Sequence, residues 1–77
     1  MPYERDPDAA IDAALRMIGS RLKRTRIALG LSQRALEALS GVDQTTISRI
    51  ENGRAPSFSL GRYARILAAL DRYRLAF

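Results

Sequence analysis

The chain has no cysteine, no histidine and no tryptophan among its 77 residues, and only 6% of it is aromatic. Without thiols or imidazoles it forms no disulfide, offers no thiolate nucleophile or imidazole base, and lacks the usual zinc ligands. These absences argue against an enzyme and lead us to expect no metal and no cofactor. No apolar run approaches the roughly 20 residues that cross a bilayer. The opening Met1-Pro2-Tyr3-Glu4-Arg5-Asp6 lacks the basic segment of a secretory leader. We therefore expect a cytoplasmic protein with no membrane partner. What is present, 47% apolar and 27% charged residues, suits one small folded domain, too short for two cores and too apolar for a disordered chain.

Acidic residues are scarce over most of the chain. Residues 1–19 carry Arg5 and Arg16 against Glu4, Asp6, Asp8 and Asp12, a net −2, whereas the rest sets eleven basic groups against Glu37, Asp43, Glu51 and Asp71, a net +7. A segment this basic attracts polyanions, although charge alone does not separate DNA, RNA and anionic lipid.

Glycine and proline fall singly, as punctuation between helical patterns. Asp6-Pro7 signals a helix start, with Ala10, Ile11, Ala14, Leu15 and Ile18 following at helical spacing. Gly19-Ser20 is compatible with an end, a kink or a continuous helix, since one glycine costs only about 1 kcal/mol relative to alanine. A basic helix with Leu22, Ile27 and Leu29 then runs to Gly30, a left-handed cap. Ser32 caps the next, in which Ala35, Leu36 and Leu39 turn inward, and Gly41 interrupts it after two turns. Asp43 caps a further short helix through the Thr46 amide; Val42, Ile47 and Ile50 pack inward, and Asn52-Gly53 closes it. Ser59 caps a last helix carrying Leu60, Tyr63, Ile66, Leu67 and Leu70. From Asp71 the pattern alternates, with Tyr73, Leu75 and Phe77 on one side, as in a β-strand that would pair across a dimer; a helix extension or a frayed end is the alternative.

Two short helices joined through Gly41, the second with a polar outer face of Gln44, Thr45, Ser48, Arg49 and Asn52, suit the major groove of DNA. The blocks Ile18-Gly19, Leu22, Arg26 to Gln33, Leu36, Gly41-Val42, Thr46 to Gly53, and Ser59 to Leu70 resemble the phage lambda-repressor and Cro type of helix-turn-helix domain. An all-α fold of five helices is expected, the first of them in a helical extension at 1–17; the resemblance places the helix-turn-helix domain over residues 18–70, and a strand or tail follows at 71–77. The resemblance also implies a recognition helix that begins near residue 43 and enters the major groove.

On that footing Gln44 and Arg49 are the principal base readers, because an amide pairs with adenine N6 and N7 and a guanidinium with guanine O6 and N7. Thr45 and Ser48 read bases or phosphates more weakly. Gln33 opens the first helix of the motif, where the family touches a phosphate and braces the recognition helix. Arg26 and Glu51 stand where similar proteins form an ion pair close to the DNA backbone. Arg54, Asn52, Lys23, Arg24 and Arg34 complete the phosphate candidates. Two residues depart from the family's pattern. Glu37 occupies a place where alanine or glycine lets the two helices approach, so that it extends outward or alters the crossing; Ser40 occupies a commonly apolar place.

The function these residues imply is sequence-specific binding of double-stranded DNA by a homodimeric transcriptional repressor acting on a pseudo-palindrome, with dimer contacts at Tyr73, Leu75 and Phe77. The alternative is an antitoxin that neutralises a partner toxin and represses its own operon. An RNA-binding or membrane-binding role ranks below both, since aromatic residues for base stacking are few.

Overall fold

A computed structural model of the protein describes residues 7–54 and 60–75. Four helices follow one another: α1 (Pro7–Ala28), α2 (Gln33–Ser40), α3 (Gln44–Glu51) and α4 (Leu60–Leu75). The two middle helices have eight residues each, well short of the roughly 12–15 at which an isolated helix becomes marginally stable in water. Packing and capping must therefore hold them. The core is Leu22, Leu31, Leu36, Val42, Ile47, Ile50, Ile66, Ala69 and Leu70, with Leu29, Ala35 and Tyr73 packed against it. Every helix contributes, and the two short ones supply the most deeply buried side chains, Leu36, Ile47 and Ile50, beside Ile66 of α4.

The caps follow local chemistry. Ser32 Oγ accepts the Ala35 N–H at 2.9 Å, and Asp43 Oδ2 accepts the Thr46 N–H at 3.0 Å, each satisfying an amide that the first turn leaves without an internal partner. Between them Gly41, at φ 75°, donates its N–H to the Glu37 carbonyl and reverses the chain in the left-handed region that other residues enter at a cost. Ser40 has a role in the same turn, its hydroxyl accepting the Val42 N–H at 3.1 Å.

Three expectations need correction. The first two of the five expected helices are one, because α1 passes through Gly19 unbroken. Gly19 is there for space: a Cβ on it would overlap the Ile50 carbonyl oxygen and meet the Glu51 backbone at 3.0 Å. Its missing side chain lets α1 lie directly on the end of α3, and that contact offsets the propensity cost. Second, no strand occurs among the described residues; Tyr73 and Leu75 belong to α4, which buries Ile66, Ala69 and Leu70 upstream. Each further residue of an anchored helix gains a hydrogen bond, whereas a lone strand has no partner for its backbone. An ion pair of 2.7 Å between Arg74 and Asp71 lies along the same turn. Third, Leu39 is 40% exposed rather than turned inward. Phe77 and the expected caps Asp6 and Ser59 lie outside the described residues.

Candidate nucleic-acid interface

The back of α3 is fixed first. Ile47 and Ile50 are buried in the core, and between α1 and α3 stands a buried, doubly hydrogen-bonded ion pair. Arg26 Nε donates to Glu51 Oε2 at 2.7 Å and Nη2 to Oε1 at 2.9 Å. The remaining terminal nitrogen, Nη1, donates to the Leu31 carbonyl at 2.8 Å, tying the α1–α2 turn to the same group. The hydrogen bond to Glu51 raises the Arg26 pKa above its ordinary value, with the charge of Glu51 acting in the same direction and burial opposing both. Gln33 joins the cluster from the first turn of α2, its Nε2 donating to Glu51 Oε1 at 3.1 Å. Glu51 thus collects α1, α2 and α3 on one carboxylate. Arg26 is 8% exposed, and its guanidinium is engaged in this cluster.

The ends of α3 are equally determined. At its C-terminus Gly53 N–H bonds to the Ile50 carbonyl at 3.0 Å and Arg54 N–H to the Arg49 carbonyl at 2.8 Å. Asn52 Nδ2 donates to the Ser48 carbonyl at 2.8 Å, so that half of the Asn52 amide closes the helix instead of pointing outward. At the N-terminus, besides Asp43, the Glu37 carboxylate reaches across from α2 and accepts the Gln44 N–H at 2.9 Å. The Glu37 side chain spans the gap between the motif's helices and caps the second. The substitution of a long acidic residue for a small one was visible in the sequence, but its partner is a backbone amide seven residues on, which composition does not reveal.

What α3 leaves uncommitted is its outer face. Gln44, Thr45 and Arg49 are exposed and Ser48 is half-buried. With the half-buried Gln33 they line one shallow concavity of about 320 Å³. Apart from the Ser48 hydroxyl, 3.4 Å from Asn52 Nδ2, no side-chain polar atom of these four α3 residues has a hydrogen bond among the described residues. Lys23, Arg24, Arg34 and Arg54 are all exposed. The surface of the concavity is a set of neutral donors and acceptors with one guanidinium.

Residues 18–74 match the family described as the helix-turn-helix domain, and the chain belongs to it. The domain is a DNA-binding module, and DNA is the partner its family implies. No curated protein and no solved structure matches the chain. Among the described residues no helix is long and apolar enough to cross a membrane.

Proposed function

We propose that the protein is a sequence-specific transcriptional repressor that binds double-stranded DNA as a homodimer, occupying a promoter in the cytoplasm and excluding other proteins from it. The observation that carries this reading is the outer face of α3: Gln44, Thr45, Ser48 and Arg49 converge with Gln33 on one open concavity while the rest of the helix is anchored. Gln44 and Arg49 read base edges, Gln44 suited to adenine and Arg49 to guanine, with Thr45 and Ser48 making weaker contacts. Gln33, Asn52, Arg54, Lys23, Arg24 and Arg34 hold the phosphates and set the register. Arg26 and Glu51 brace the recognition helix from behind.

Specificity from a single copy would rest on few base contacts, so we propose a twofold dimer on a pseudo-palindrome with half-site centres roughly 34 Å apart, or a multiple of that. Leu75, 74% exposed on α4, supports a contact at the C-terminal end of the chain. The test is selection of bound duplexes from a random library by the purified protein. The expected result is one enriched motif with two inverted halves. Retention of duplexes without any enriched motif would overturn the reading, and a single unpaired half would overturn the dimer.

A further inference from the structure

Two carboxylates sit at the N-terminus of α3. Asp43 is the helix's own cap, but Glu37 comes from α2, half-buried, and takes the Gln44 N–H at 2.9 Å. A helix N-terminus facing DNA ordinarily suits a phosphate, because its free amides and its dipole both favour an anion. Here a carboxylate already holds the first of those amides, and it brings a negative charge to the edge of the concavity. A phosphate could take that amide only by displacing Glu37 and approaching its charge. The residue whose backbone is so held is Gln44, and Gln44 has an exposed, uncommitted side chain.

Starting from the base-reading role proposed for Gln44, we propose that Glu37 is a positioning and specificity-determining residue. Its carboxylate fixes the backbone at Gln44 and keeps DNA phosphates off the N-terminus of α3, so that the Gln44 amide meets a base edge. Two separable effects follow. The hydrogen bond orients Gln44 and bears on sequence preference. The charge repels every phosphate alike and bears on affinity for any duplex.

The experiment measures binding of the full chain to the selected duplex, to its single-base variants and to a scrambled duplex, for the wild type, Glu37→Gln, Glu37→Ala and Gln44→Ala. Glutamine retains an oxygen that accepts the Gln44 N–H while removing the charge. Glu37→Gln should bind the scrambled duplex several-fold more tightly and keep the wild-type preference at the base step read by Gln44. Glu37→Ala should show the same gain on scrambled DNA but lose about tenfold of the discrimination at that step. The proposal is overturned if Glu37→Ala keeps the wild-type base preference, if Glu37→Gln loses it as fully as Glu37→Ala, or if Glu37→Gln gains nothing on scrambled DNA. This last measurement suffices alone should the alanine variant fail to fold. Gln44→Ala separates the two levels. If it keeps full preference at every step, the base-reading role has failed and this inference with it. If it loses preference while Glu37→Ala does not, only the role of Glu37 falls.

Discussion

The two faces of α3 differ sharply in what holds their side chains. Inward, Ile47, Ile50 and Glu51 are each 5% exposed or less, and the Glu51 carboxylate is shared by Arg26 and Gln33. Outward, Gln44, Thr45 and Arg49 are exposed, and their side chains have no partner among the described residues. One eight-residue helix is thus tied into the fold through the Glu51 carboxylate on one side and carries almost no side-chain bonding on the other. The contrast has a physical logic. Reading a groove requires side chains free to exchange water for bases, and a helix too short to persist alone must be held rigid from behind for that exchange to be selective. Mutations on the two faces should therefore act on different quantities, stability for the inner face and discrimination for the outer.

The largest expected effect lies inside. Glu51→Ala leaves the Arg26 guanidinium buried without its carboxylate and should cost about 3–5 kcal/mol of folding stability, read as a lowered midpoint in urea unfolding. Replacing both residues with apolar ones, as in Arg26→Met with Glu51→Leu, should restore most of the loss, because the penalty belongs to the unpaired charge. A single variant as stable as the wild type would show that the cluster braces nothing. Gly19→Ala comes next. The added methyl collides with the backbone at Ile50 and Glu51, so α1 must move off α3 at a cost of about 1–3 kcal/mol, even though alanine is the better helix former. A more stable Gly19→Ala variant would mean that propensity outweighs the contact.

The comparison of faces also explains what the sequence disclosed. Features decided within a few residues were legible: the Ser32 and Asp43 caps, the left-handed Gly30, the helix ends at Gly41 and Gly53, and the polar outer face of α3 all appear where spacing and residue type put them. Features decided across the fold were not. Gly19 reads locally as an end, a kink or part of a continuous helix, and only its approach to Ile50 shows that it is a contact surface. The alternation at Tyr73 and Leu75 left a strand and a helix extension open, and a helix anchored by Ile66 and Leu70 continues through these residues. Glu37 drew notice as a departure, yet its bond to the Gln44 amide depends on how α2 and α3 cross. Arg26 and Glu51 were matched as a pair through family resemblance, since nothing in a spacing of 25 residues signals it.

On the outer face the same logic predicts stability changes within about 0.5 kcal/mol but a clear effect on DNA. Gln44→Ala and Arg49→Ala should each lose about 1–3 kcal/mol of binding on the selected site and relax preference at one base step. Equal losses on selected and scrambled duplexes would remove them from base reading. Arg54→Ala, at the rim, should weaken both duplexes alike and reduce the slope of log affinity against log salt by roughly one. An unchanged slope would show that Arg54 touches no phosphate.

The smallest effect should come where the two faces meet, at Asp43. Its carboxyl is held below its ordinary pKa chiefly by the Thr46 hydroxyl, 2.7 Å from Oδ1, and then by the Thr46 amide. The folded state therefore binds this proton more weakly than the unfolded chain does. The resulting stabilisation is whole above the ordinary Asp value of roughly 3.9 and fades as pH falls through the lower folded value. Arg26 behaves oppositely: raised above a value already far from neutral, its own guanidinium stays charged throughout the acid and neutral range. Asp43→Asn keeps a good cap without the titration. The stability difference between wild type and Asp43→Asn should stay constant from neutrality down to about pH 5 and then shrink toward lower pH. Parallel stability curves down to the most acidic folded condition would mean that α3 is capped by geometry alone, with the charge of Asp43 contributing nothing to its hold.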